Sequence, residues 1–218
     1  MRYCTDREAK DALIETGHQL YQQGLTVGTD GNLSCRVTED TLWTTATGAR
    51  KGFLTDEWLV KTDLAGNVLE GTRKPSSELK MHLCLYKANP HALAAVHTHP
   101  PFSTAFAAAN LGFDKMLLAE EGLYLGHVQV APYATPGSVE LAESILPYCW
   151  DNNAVLLANH GAVTWGKDLS EACARMETLE RSARIRYYCL TMGQAQYLSD
   201  EEAAALHQKG VALGNFPE

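Results

Sequence analysis

Four residues in three short stretches have the types and spacing for metal-assisted proton chemistry: Glu78 in KPSSE, His97 and His99 in VHTHP, and His160 in LLANHG. The segment ALAAVHTH (92–99) reads as a buried strand that ends at Pro100-Pro101. Residues two apart on a strand project to one face, so both imidazoles can meet a single ion from a rigid support. His160 follows a second apolar run, AVLLAN (154–159), and precedes a glycine. Three histidines at strand ends match the ligand set of a catalytic zinc that keeps one position open. As neutral ligands they leave the ion's full charge for polarising an oxygen. Glu78 follows Ser76-Ser77 where a helical pattern begins, a place where a carboxylate also complements the helix dipole. Beside a metal it can act as a base towards the acidified α-proton of a hydroxycarbonyl compound.

A second set of residues is suited to an anion. GTDGNLS places Gly28, Gly31 and Asn32 in a turn, Thr47-Gly48 sets a hydroxyl beside a glycine, and Ser76-Ser77 adds two hydroxyls at a helix N-terminus. Backbone amides, hydroxyls and a positive dipole end make a phosphate cradle without needing lysine or arginine. His18, His82, His91, His127 and His207 have no matching partner and are read as structural or surface residues.

The elements that must position these groups are legible from periodicity. An amphipathic helix runs from about 5 to 24, followed by strands at LSCRV and TLWTT and a hairpin turning at Ala65-Gly66-Asn67. After Pro75, Leu79, Leu83 and Tyr86 form a helical stripe, with Ser76 or Ser77 placed to cap it. A small-residue helix (102–110), a strand (127–133), a helix (137–148) and the apolar strand 154–159 lead into a turn at His160-Gly161. The longest helix spans roughly 168–192, and a last one starts at Ser199, with Glu202 at capping-box spacing. This irregular alternation predicts an α/β layer structure, and no linker divides residues 1–218, so a single domain is expected.

With 218 residues, 45% of them hydrophobic, the chain can bury one sizeable core. A net charge of −8 with scattered acidic residues argues against a polyanion-binding surface, so nucleic acid is not an expected partner. No uncharged apolar stretch approaches the roughly 18–20 residues that span a bilayer, and MRYCTDREAK is too polar for a secretory leader. No membrane partner and a cytoplasmic location are therefore expected. The six cysteines have no two-residue gap typical of zinc ribbons or redox motifs and are read as reduced. A metal must find histidine and carboxylate ligands.

The ordered set GTDGNLS, TATG, KPSSE, VHTHP, APYATPG and LLANHG resembles the class II aldolase and adducin head family, most closely its L-fuculose-1-phosphate aldolases, from the first helix to about Met192. The resemblance implies a layered fold with a central, largely antiparallel sheet flanked by helices. It implies one Zn2+ per subunit, or another divalent metal, bound by His97, His99 and His160, with Glu78 as both resting-state ligand and catalytic acid/base. Phosphate contacts carry over to Gly31, Asn32, Thr47, Gly48, Ser76 and Ser77. The implied substrate is a small phosphorylated sugar, cleaved reversibly to dihydroxyacetone phosphate and an aldehyde such as lactaldehyde through an enediolate. A homotetramer with sites at subunit interfaces is also implied.

Fuculose aldolases carry a tyrosine shortly upstream of APYAT, whereas this chain reads DKMLLAEEGLYLG at 114–126. Tyr124, Glu120 or Glu121 takes the aldehyde-side role, or the aldehyde differs. Relatives with other activities are the 4-epimerases, which usually have aspartate where this chain has Glu78, the phosphorylated sugar-acid decarboxylases, and a methylthioribulose-phosphate dehydratase. A non-catalytic adducin-like module is the alternative of another class, set against the presence of all three histidines and Glu78.

Overall fold

The structure, a computed structural model, describes residues 2–217. Its strands are β1 (Asn32–Arg36), β2 (Thr41–Thr45), β3 (Leu59–Asp63), β4 (Val68–Glu70), β5 (Ala94–Thr98), β6 (Gln129–Ala131), β7 (Ala154–Leu157) and β8 (Gly161–Gly166). They form one sheet in the order β4-β3-β2-β1-β5-β8-β7-β6. Every neighbouring pair is antiparallel except β6 and β7. The expected α/β arrangement with a largely antiparallel central sheet is therefore what the chain adopts.

Alternation along the central strands sorts side chains into two cores. Ala94 and Val96 of β5 and Ala154 and Leu156 of β7 join one cluster, with Leu13 and Leu20 of α1 (Asp6–Gln22), Phe106 of α3 (Pro101–Ala108) and Met176 and Leu179 of α5 (Leu169–Thr191). Ala95, Val155 and Leu157 join the other, with Leu79 and Leu83 of α2 (Leu79–Ala88) and Leu141 of α4 (Val139–Ser144). His97 shares the parity of Ala95, so it faces the α2 side. A last helix, α6 (Asp200–Ala212), begins with the expected Ser199–Glu202 capping box.

Three local expectations change. β8 was not anticipated: its residues are buried on both faces, which removes the polar alternation that marks a half-exposed strand. His160 thus lies in the tight β7–β8 turn rather than ending a strand, with Asn159 at φ 56°. The helix expected over 137–148 breaks after Ser144, and a short 3₁₀ turn at Leu146–Tyr148 takes in Pro147, which lacks a backbone N–H. Neither Ser76 nor Ser77 is the N-cap of α2. Glu78 holds that position, and its N–H donates to Ser76 Oγ at 3.3 Å.

The segment after the two histidines is anchored from α5. Helix α3 starts at Pro101 with no cap from Pro100, and buried Glu180 supplies one: Phe102 N–H and Ser103 N–H donate to its carboxylate at 2.9 and 2.8 Å, and Ser103 Oγ–H at 2.8 Å. Hydrogen bonds to a buried charge are worth roughly 1.5–3 kcal/mol each and do not add fully, so Glu180→Ala is expected to cost about 3 kcal/mol in thermal or denaturant unfolding. A loss under about 0.5 kcal/mol, the range of ordinary surface substitutions, would contradict this role.

Candidate active site

His97 is on β5, in register with Asn32 of β1 and Val163 of β8. Its Nδ1 lies 2.8 Å from the carbonyl oxygen of Ala162. A carbonyl only accepts, so Nδ1 carries a hydrogen, which fixes the ring with Nε2 facing the site. His99 lies just past the end of β5, and its Nε2 is 3.3 Å from Nε2 of His97. The β7–β8 turn brings in His160, whose ring centroid is 4.8 Å from each of the other two. One nitrogen from each imidazole lies within 4.8 Å of the others.

Two glycines permit this convergence. A Cβ on Gly31, at φ +75°, would stand 2.2 Å from the His97 carbonyl oxygen, and one on Gly161 would stand 2.5 Å from His99 Cδ2.

Glu78 closes the cluster. Its Oε2 lies 3.1 Å from His97 Nε2 and its Oε1 3.2 Å from His160 Nε2, with the side chain 12% exposed. Burial pushes the carboxyl up, and the imidazoles of His160 and His97 more than reverse that push, so it titrates well below the usual carboxylate range. Burial, then His97 and His160, push His99 down to about 4, leaving it neutral at physiological pH. Nε2 of His97 thus faces both Nε2 of His99 and the carboxylate of Glu78. Nitrogen and oxygen atoms of all four side chains converge here, and Glu78 Oε1 and His160 Nδ1 are buried without a hydrogen-bond partner among the described residues. Three imidazoles and a carboxylate suit a divalent cation.

The cluster opens into a cavity of about 330 Å³ lined by Glu78, His99 and His160 together with Gly31, Thr47, Gly48, Ser76 and Ser77. The backbone amides of Gly48 and Ser77 have no hydrogen-bond partner among the described residues. Asn32 does not line the cavity. It is fully buried on the His97 side of the sheet, with both polar side-chain atoms unpartnered.

Sequence reasoning passed over two residues here. Lys51 and Asp30 both line the cavity, so the cradle does contain a lysine. Asp30 Oδ2 lies 3.6 Å from His99 Nδ1. The signal for Lys51 was a basic residue three positions after TATG and immediately before Gly52. His82, read from the sequence as structural or surface, sits one turn beyond Glu78 on α2, with Nδ1 2.7 Å from Ser34 Oγ, and burial pushes it down to about 3, so it is a neutral hydrogen-bonding group. In the 114–126 segment, Glu121 is buried and paired with Arg186 at 3.1 Å, and it accepts from Leu117 N–H at 2.8 Å. Glu121 therefore serves the packing of α5, and neither Tyr124 nor Glu120 lines the cavity of the chain.

Comparison with known proteins agrees with this construction. The model of the class II aldolase and adducin N-terminal domain matches residues 11–187. A 3-oxo-tetronate 4-phosphate decarboxylase of Haemophilus influenzae is 37% identical over 210 residues, covering 94% of this chain and 99% of that protein. An L-fuculose phosphate aldolase of Methanococcus maripaludis is 36% identical, covering 83% of this chain and 97% of that protein. A solved L-fuculose 1-phosphate aldolase superposes with a TM-score of 0.89 at 32% identity, covering 95% of this chain and 97% of its own. The motifs, the sheet that carries them and these relatives converge on one conclusion: the chain belongs to the class II aldolase and adducin N-terminal domain family.

Proposed function

We propose that the chain is a zinc-dependent lyase that reversibly cleaves a ketose 1-phosphate, L-fuculose 1-phosphate or a related deoxyketose phosphate, to dihydroxyacetone phosphate and an aldehyde such as lactaldehyde. The observation that carries this reading is the Glu78 carboxylate set 3.1 and 3.2 Å from two of three converging imidazoles, beside a cavity of hydroxyls and free amides. His97, His99 and His160 would hold the ion, with Glu78 completing the set before substrate enters. A divalent cation there supplies Lewis-acid polarisation of a substrate carbonyl.

Glu78 moves the proton. As a carboxylate it takes one from the hydroxymethyl carbon in the condensation direction, and as an acid it returns one to the same carbon after cleavage. Its N-cap position leaves the side chain free of helix hydrogen bonds and able to turn towards substrate. Thr47, Ser76 and Ser77 offer hydroxyls, and Gly31 and Gly48 offer backbone, to a phosphate near the positive end of α2. Anchoring that phosphate fixes the distance from the reacting carbon to Glu78. The reading also makes the protein a cytoplasmic homotetramer with sites at subunit interfaces. Among the described residues no helix is long and apolar enough to cross a membrane. An aromatic cluster of Phe102, Tyr187 and Tyr188, the two tyrosines about half exposed, begins three residues after His99.

A second reading, decarboxylation of a phosphorylated 3-oxo sugar acid, has its own observation. Aldol cleavage needs a base for the hydroxyl proton on the departing carbon, whereas loss of CO2 needs none. None of Tyr124, Glu120 and Glu121 lines the cavity, and a relative spanning nearly the whole chain carries the decarboxylase name. A product assay separates the two. The 1-phosphates of L-fuculose, L-rhamnulose, D-ribulose and 5-deoxyribulose are compared with 3-oxo-tetronate 4-phosphate. The aldolase reading predicts dihydroxyacetone phosphate from at least one ketose phosphate. CO2 from the acid, with no dihydroxyacetone phosphate from any ketose, would overturn it in favour of the decarboxylase.

A further inference from the structure

Lys51 is 2% exposed, and its ammonium has no carboxylate within ion-pair distance among the described residues. Its Nζ donates to the carbonyl oxygens of Thr29, at 2.6 Å, and Ala49, at 2.7 Å. Those carbonyls belong to the two loops that carry Gly31 and Thr47-Gly48, so one side chain ties both walls of the cavity together. An ammonium has three donors, and two are used here. Burying a charge without a counter-charge is costly, and the cost is recovered when an anion is drawn to it. Among the described residues Lys51 is also the only lysine or arginine lining this cavity, and it stands there with Thr47, Gly48, Ser76 and Ser77.

Resting on the sugar-phosphate reading above, we propose that Lys51 is an anion-binding residue of the phosphate subsite: its third N–H and its charge meet the phosphate dianion while the other two hold the loops. Burial pushes the ammonium down to about 8 while Asp30 and Glu78 act in the opposite direction, so it stays largely charged at neutral pH. The charge matters because Asp30 and Glu78 line the same cavity and would otherwise repel a dianion. A loop staple alone would need only a hydrogen-bond donor. Charge is the added element.

The test uses the metal-loaded full-length protein and inorganic phosphate as probe, titrated calorimetrically at neutral pH. Lys51→Gln keeps an amide donor for the loop carbonyls and removes the charge, and Lys51→Met removes both. A hydrogen bond to a charged group corresponds to roughly a 10- to 100-fold change in affinity, and both variants are expected to lose phosphate affinity by about that factor. Melting temperature and metal content of Lys51→Gln, measured in parallel, should match the wild type. Wild-type affinity in Lys51→Gln would overturn the proposal and leave Lys51 as a staple only. If the wild-type protein itself binds no phosphate, the sugar-phosphate reading falls, and this proposal with it.

Discussion

Replacing Glu78 with glutamine is expected to stop the exchange of the hydroxymethyl proton of dihydroxyacetone phosphate in deuterated water, while the protein keeps its metal. The isosteric amide preserves an oxygen and the shape of the side chain, so three imidazoles still converge beside it. It removes the basic site. General-base catalysis typically contributes about 10²–10⁴-fold, and the exchange rate, read by loss of the proton signal in NMR, should fall by that order. The carboxyl of Glu78 is held well below its ordinary range by His160 and His97 against the push of burial, so the wild-type protein has its base ionised at neutral pH. Undiminished exchange in Glu78→Gln would place the base elsewhere.

The second large effect belongs to His97. It is fully buried, its tautomer is set by Ala162, and its Nε2 approaches both His99 and Glu78. Losing an outer partner of a metal ligand already costs about 10–100-fold in metal affinity or activity, so removing the ligand should cost more. His97→Ala is expected to lose stoichiometric metal on dialysis and to lower lyase turnover by at least about 10³-fold. Far-ultraviolet circular dichroism would separate metal loss from unfolding. A folded His97→Ala that retains metal and turnover would contradict the assigned ligand set.

Much of this arrangement is legible in the sequence because its strongest signals are local. The continuous apolar run before His97, the Pro100-Pro101 stop and the 3.6-residue stripe of the long helix each report a single element. Glu78 and the three histidines are visible as residue types at the ends of such elements. What local pattern cannot carry is the pairing of elements. β8 shows no alternation because both its faces are covered, and the β5–β8 pairing that orients His97 through Ala162 is invisible without it. Lys51 escaped for a related reason. A lysine in a turn reads as a solvated side chain, and only the fold closes the 28–31 and 46–49 loops over its stem. Asn32 shows the converse: a turn asparagine by sequence, it becomes the first residue of β1 and is sealed beneath the site. The 114–126 segment, where the motif pattern departs from the fuculose aldolases, forms a wide helical turn at Glu121–Leu125 held by the Glu121–Arg186 pair. Its sequence offered three polar candidates for the aldehyde end, and packing assigns one of them to structure.

The central claim is that His97, His99 and His160 converge on one divalent cation beside Glu78. Anomalous diffraction from crystals of the purified protein, collected on both sides of the zinc absorption edge, tests it most directly. A single strong peak per chain is expected, about 2.0–2.1 Å from one nitrogen of each imidazole. No peak among the three rings, or a metal bound elsewhere with these imidazoles free of it, would show that His97, His99 and His160 do not form a metal site.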